Sequence, residues 1–138
     1  MSIKQISVFL ENDTGRLAAV TKVIADAGVN LRAISIADTA DFGILRLIVD
    51  KVTDAQDALA KAGFTTRLSD VVAVEVEDRP GSLSDVMSLF QRFEVNIEYL
   101  YASLEGTEGK AVVIFKLQNL ELGLKIIKEH GIKMADEF

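Results

Sequence analysis

Two short turns hold the residues whose types and spacing could do chemistry. The first is Glu11-Asn12-Asp13-Thr14-Gly15-Arg16-Leu17; the second, 66 positions later, is Glu77-Asp78-Arg79-Pro80-Gly81-Ser82-Leu83. Each sets a glycine just ahead of an apolar pattern with helical spacing. A glycine turn that opens a helix presents free backbone N–H groups and the positive end of the helix dipole, a combination suited to a carboxylate. Downstream of each turn, Asn30 follows Val29 and Asn96 follows Val95. An asparagine side chain carries donors and an acceptor, enough to bridge the carboxylate and the ammonium of a free amino acid.

Other chemistries find no support. The chain has no Cys and a single His, His130, so thiolate metal sites, cysteine nucleophiles and multi-histidine sites are excluded. Ser82, Ser84, Thr14 and Thr21 have no His or Lys arranged beside them as a base. No catalytic residue, metal-ligand set or cofactor is assigned. His130 reads as a solvated residue near a helix C-terminus, beside Lys128, where positive charge is favoured.

Composition narrows the class further. The 138 residues are 49% hydrophobic and 26% charged, which suits a soluble folded chain and not a disordered one. The net charge of −6 is uneven: residues 1–70 hold eight Lys/Arg against nine Asp/Glu, and residues 71–138 hold seven against twelve. An acidic chain without basic runs repels phosphate backbones, which argues against nucleic acid as a partner. No apolar run approaches the roughly 20 residues that span a bilayer, and Met1-Ser2-Ile3-Lys4-Gln5 lacks the apolar core of a secretory signal. The expectation is a cytoplasmic protein.

The elements that must position the turns come in duplicate. Beyond the turns, the same 66-residue shift sets Val20 on Val86, Val29 on Val95 and Asn30 on Asn96. Two extra residues around Gly106 then bring Gly63 onto Gly131. A repeat of that length is a domain duplication rather than an array, with modules at 1–70 and 71–138. In the first copy Ile6, Val8 and Leu10 alternate with polar residues as in a half-buried strand. After the turn, Leu17, Val20, Val23, Ile24 and Ala27 recur at helical spacing, and Gly28 marks the helix end. Leu31 to Asp38 and Phe42 to Asp50 read as strands joined by Thr39-Ala40-Asp41. A helix from about Asp54 to Ala62 ends at Gly63, and Phe64 to Ser69 is a last strand. The order is βαββαβ, twice.

The fold class is therefore α+β, two ferredoxin-like modules with antiparallel sheets and both helices on one face. Val8, Leu17, Val20, Ile24, Leu31, Leu45, Leu47 and Leu59 are the expected core of the first module. Its other sheet face carries Phe9, Ile44 and Ile48 beside Arg46, a mixture suited to partial burial. Small modules with open sheet edges are expected to pack on each other and to form at least a homodimer. This topology hosts many functions. The aromatic residues that RNA-recognition modules use on their middle strands are missing from Gly43 to Val49. Asn12 and Arg16 superficially suit an acylphosphatase-type loop, but Asp13 would set a carboxylate beside the phosphate.

The repeated turn, followed by the strand opening Val29-Asn30-Leu31 or Val95-Asn96-Ile97, resembles that of ACT domains over nearly the whole chain. The D-x-P-G-x-L form of the second copy is the closer match, since Thr14 replaces the usual Pro in the first. The resemblance implies a tandem regulatory protein that binds a small effector, an amino acid, and acts on a separate enzyme or partner of amino-acid metabolism. It implies ligand groups at Asn12, Asp13, Thr14 and Gly15, at Asp78, Arg79, Pro80 and Gly81, and at Asn30 and Asn96. An alternative is a regulatory subunit that docks onto an enzyme such as acetolactate synthase with degenerate ligand sites. Serine-sensing relatives carry a His two residues before the turn Asn; Leu10 and Val76 stand there, which argues against that mode. The same residues also serve plain structure: Gly15 and Gly81 as backbone hinges, Asn12, Asp13 and Asp78 as helix caps, Asn30 and Asn96 as turn residues.

Overall fold

The computed structural model describes the chain except Asn12, residues 39–41, Glu105, Thr107 and residues 137–138, and of Asp38 only the backbone. The expected turn at 39–41 and the Asn12 assignment lie outside the described residues. The chain divides into two compact units, one of residues 4–69 and one of residues 70–138 with residues 1–3.

In the first unit, β1 (Ile3–Glu11) buries Ile6, Val8 and Leu10 by strand alternation. It pairs antiparallel with β3 (Phe42–Val49), Val8 opposite Leu45 and Ile6 opposite Leu47, and β3 pairs antiparallel with β2 (Leu31–Asp38). Two helices, α1 (Arg16–Asp26) and α2 (Val52–Lys61), bury Val20, Ile24, Ala55 and Leu59 against that same set of strand residues. Both helices thus cover one face of the sheet. On the opposite face Ile48 is buried and Ile44 and Arg46 are half-buried, while Phe9 stays exposed. Gln5 is also buried there, its Nε2 donating to Ser7 Oγ at 3.2 Å.

The second unit repeats the plan. β4 (Thr65–Glu77), β6 (Lys110–Leu117) and β5 (Ile97–Ala102) pair antiparallel in the order β4-β6-β5. The helices α3 (Ser82–Arg92) and α4 (Leu120–Glu129) pack Val86, Phe90, Ile126 and Ile127 on Val72, Val74, Val113 and Phe115. Phe90 meets Phe115 edge to face at 5.4 Å. Asn119 caps α4 by accepting from the Leu122 N–H.

Three expectations need correction. Phe64 to Ser69 and the strand carrying Val72 to Val76 are one continuous element, β4, which runs through the change of unit at residues 69–70. The last strand of the second copy is reduced to a bridge between Met134 and Val74, because apolar alternation ends there and Ala135-Asp136 follow. Leu17 is 44% exposed and not part of the core. It shares the helical period of Val20 and Ile24, but it stands in the first turn of α1, where its side chain stays exposed. Leu31 is half-buried at the opposite end; the other six core residues are buried.

Candidate functional site

The first turn is built around Gly15, which is the N-cap of α1 with φ 88 and ψ −5. A left-handed backbone at this point suits glycine, and no atom lies within 4 Å of where a Cβ would stand, so the requirement is backbone shape and not close packing. The Asp13 N–H donates to the Glu11 carbonyl at 2.9 Å, and the Arg16 N–H to the Asp13 carbonyl at 3.3 Å. Because the N-cap is a glycine, it offers no side-chain acceptor to the first-turn amides of α1. Asp13 and Thr14 are exposed beside it.

Hairpin topology brings two further strand ends to this turn. Glu11 stands opposite Phe42 and Leu10 opposite Gly43, while β2 ends at Asp38 opposite Gly43, with the Ile36 side chain against Gly43. These elements enclose a cavity of about 70 Å³ lined by Leu10, Glu11, Asp13, Arg16, Leu17, Ile36 and Gly43. Among the described residues the buried Nε of Arg16 has no hydrogen-bond partner, and its guanidinium lies over the Phe64 ring, 4.7 Å from the centroid. A buried donor without an acceptor is unfavourable until something supplies one. One cation, two carboxylates and three aliphatic side chains around one hollow can receive a carboxylate, an ammonium and a small apolar group.

The second turn is closed on itself. Gly81 is the N-cap of α3 with φ 91, matching Gly15. Arg79 Nε donates to Glu77 Oε2 at 2.7 Å, its Nη2 lies 3.5 Å from Asp85, and its Nη1 donates to the Pro80 carbonyl at 3.3 Å. Ser82 Oγ donates to the carbonyls of Glu77 and Arg79, and the Asp78 N–H donates to the Gly109 carbonyl. The Arg79 hydrogen bond and charge, with Lys110 beyond, hold the Glu77 carboxyl below its ordinary range; Glu77 in turn raises Arg79.

Asn30 and Asn96 are not beside the turns of their own modules. The Asn30 N–H donates to Asp50 Oδ1 at 2.9 Å, and its carbonyl accepts from the Asp50 N–H. Asp50 follows β3, so Asn30 and the first turn lie at opposite ends of that strand, about 23 Å apart along its seven steps. In the second module Asn96 Nδ2 donates to Gln118 Oε1 at 3.2 Å, and Gln118 likewise follows β6. Asn96 lines a separate cleft of about 430 Å³ with Met87, Phe90, Gln91, Glu94, Val95 and Ile97. His130 is the C-cap of α4, its ring packed on Phe93 and its Nδ1 3.0 Å from the Ile126 carbonyl.

Of the turn residues assigned from the sequence, Asp13 lines the cavity; sequence reasoning missed Leu10, Glu11, Arg16, Leu17, Ile36 and Gly43 as lining. The signal was available in topology: in a βαββ unit the end of the second strand and the start of the third return to the edge where the first strand ends.

Two tandem modules of the βαββα plan, each with a left-handed glycine at the head of its first helix, define the paired ACT architecture. The chain belongs to the ACT domain pair family, whose model matches residues 1–137. Its structure is similar to that of protein BT0572 from Bacteroides thetaiotaomicron, with 37% identity, a TM-score of 0.92, and coverage of 98% of this chain and 92% of that one. It also resembles in fold the ligand-free regulatory subunit of aspartate kinase from Thermus thermophilus, at 19% identity, TM-score 0.64, and coverage of 91% and 90%. The corresponding subunit from Thermus flavus gives 19% identity, TM-score 0.60 and the same coverage. No curated protein matches the chain in sequence. Among the described residues no helix is long and apolar enough to cross a membrane.

Proposed function

We propose that the chain is a regulatory protein that binds a small amino acid in its first module and acts through a separate partner enzyme rather than by catalysis. The observation that carries this reading is a cavity that sets the Arg16 side chain beside Glu11, Asp13, Leu10, Leu17 and Ile36, with the buried Arg16 Nε lacking a hydrogen-bond partner among the described residues. Arg16 and the head of α1 take the carboxylate, Glu11 and Asp13 the ammonium, and the aliphatic side chains a small side chain. At about 70 Å³ the cavity takes a small ligand or the polar head of a larger one. The regulatory subunits of aspartate kinase that share the fold are consistent with this role.

The closed second turn favours a division of labour. With Arg79 committed to Glu77 and Asp85, that turn serves structure, and the first turn is the ligand turn. The exposed Phe9, Leu17, Ile36 and Phe42 make the first module the surface on which a second copy or a partner would bury apolar area. In this reading the protein is cytoplasmic and at least a homodimer.

A thermal-shift screen against the twenty amino acids tests the assignment, because a ligand that binds only the folded state stabilises it by about 2.7 kcal/mol at a hundredfold excess over Kd. At least one small amino acid should raise the melting temperature of wild type and not of Arg16→Met. No shift with any amino acid overturns the reading. Light scattering that gives a monomer mass at all concentrations overturns the homodimer.

A further inference from the structure

Each module carries one surface that its twin does not repeat, and the two surfaces differ in charge. In the first module Phe9 stands opposite Ile44 and Phe42 opposite Glu11, which makes the two phenylalanines diagonal neighbours, a spacing that aromatic side chains can bridge. Phe9 is 43% exposed and Phe42 63%. Glu11 and Asp13, both exposed, give this end of the sheet an acidic rim. The same register in the second module sets Glu75 opposite Val112 and Lys110 opposite Glu77. There both positions are charged and paired, Glu75 with Lys133 at 3.4 Å and Lys110 with Glu77 at 4.0 Å. The shared fold therefore does not need the aromatic pair, and the pair is not part of the lining of the hollow at the first turn.

The second module carries a cleft of about 880 Å³. Leu124 and Lys128, one turn apart on α4, line it together with Ile132, Lys133 and Met134, the segment that returns to Val74. The three aliphatic side chains are half-buried, and Lys128 and Lys133 are exposed at the rim. By the repeat that brings Gly63 onto Gly131, the matching residues of the first module are Gln56, Ala60, Phe64, Thr65 and Thr66. None of these is charged, and Phe64 is buried beneath the Arg16 guanidinium. An apolar hollow with a basic rim is thus a property of the second copy.

We propose that the aromatic end of the first module docks into the aliphatic cleft of the second module of another copy of this chain. Charge selects this pairing. An acidic rim around aromatic side chains meets a basic rim around aliphatic ones, whereas patch on patch would set Glu11 and Asp13 against their own counterparts. Composition agrees, since interfaces concentrate aromatic and Met side chains in a core ringed by polar groups. Phe9 and Phe42 are exposed in the single chain, so this surface is open to another. The contact joins two different surfaces; it closes when two copies pair reciprocally and otherwise continues to further copies. The inference rests on the homodimer reading above and names the surfaces that meet.

The test is analytical ultracentrifugation of the full chain and of two double variants, each giving one module the residues of its twin. Phe9→Glu with Phe42→Lys removes the aromatic end, and Leu124→Gln with Lys128→Ala removes the cleft. The other module already carries these residues at the same sites, so both proteins should keep the wild-type circular dichroism spectrum. Each variant alone should self-associate about tenfold more weakly than wild type, or worse. An equimolar mixture should recover a complex, because the intact cleft of one variant receives the intact aromatic end of the other. Its Kd should be about tenfold tighter than that of either variant with itself. Lys128→Glu, a single change at an exposed side chain, should weaken association without help from the other substitutions. A mixture no tighter than its parts overturns the proposal. So does self-association of the Leu124→Gln, Lys128→Ala protein or of Lys128→Glu at wild-type strength, which would keep the homodimer and move its contact elsewhere. A wild-type chain that stays monomeric at every concentration overturns this proposal and the homodimer together.

Discussion

Arg79 Nε stands 2.7 Å from Glu77 Oε2, whereas the equivalent pair in the first module, Asp13 and Glu11, is two carboxylates. The reversal of charge from Asp13 to Arg79, with Ser82 in place of Arg16, separates a turn that satisfies itself from a turn that gathers Arg16 and two acids around a hollow. The duplication kept the backbone, as the φ values of Gly15 and Gly81 show, and changed what the backbone presents.

The Glu77–Arg79 pair makes a pH prediction. Glu77 has a folded pKa below its unfolded value, so its contribution to stability is present above the unfolded value and is lost as pH falls through the folded one. The window therefore lies below the ordinary carboxylate value of 4.5. Carboxyl chemical shifts should show Glu77 titrating low in wild type and returning to the ordinary range in Arg79→Met. Both groups are exposed, so added salt should shrink the difference. An identical Glu77 titration in the two proteins would contradict the pairing.

The left-handed glycines predict a strain penalty without a packing penalty. Alanine at Gly15 or Gly81 meets about 1–2 kcal/mol of backbone strain, offset in part by about 0.4–1 kcal/mol from the stiffer unfolded chain. The expected net loss is about 1 kcal/mol at each, read from denaturant midpoints with an unchanged m-value. Nothing lies within 4 Å of the Gly15 Cβ position, and the nearest atom to that of Gly81 is Arg79 Nη1 at 3.9 Å. A loss above about 3 kcal/mol would mean that these glycines also serve close packing.

Leu17 and Leu45 separate position in a pattern from position in a fold. Leu45→Ala empties a site that is 1% exposed and should lower stability by about 2–5 kcal/mol. Leu17→Ala, at a residue 44% exposed, should stay within about 1 kcal/mol of wild type. Chemical denaturation of both variants decides; equal losses would return Leu17 to the core.

The contrast marks what was legible in the sequence. Strand alternation at Ile6, Val8 and Leu10 and the helical stripe through Val20 and Ile24 identify the elements, because each needs one buried face. The duplication then fixes their order twice. Periodicity cannot tell which turn of a helix stays exposed, so Leu17 shared the pattern of the core without its burial. Asn30 follows Val29 only a few residues from the helix it ends, yet a helix and a strand reverse the chain, and Asp50 rather than the turn becomes its neighbour. Ile36 and Gly43 reach the first turn only through strand register, which a local pattern does not contain.

Arg16 provides the sharpest test of the first-module site. If its guanidinium receives the carboxylate of the effector, Arg16→Met removes a charge-assisted hydrogen bond worth about 1.5–3 kcal/mol and weakens binding at least tenfold. Folding should change little, because Met keeps an apolar stem against Phe64 and removes a buried donor that has no acceptor. Arg16→Lys should recover only part of the affinity, since an ammonium lacks the planar fork that grips a carboxylate with two bonds. Asn30→Ala, at the far end of β3, should leave affinity for that turn unchanged unless a turn from elsewhere meets it in the assembly. Calorimetry with the amino acid that gives the largest thermal shift measures all three variants on one scale. Equal affinity in wild type and Arg16→Met, with Asn30→Ala weakened, would move the carboxylate from the head of α1 to the asparagine end of the sheet.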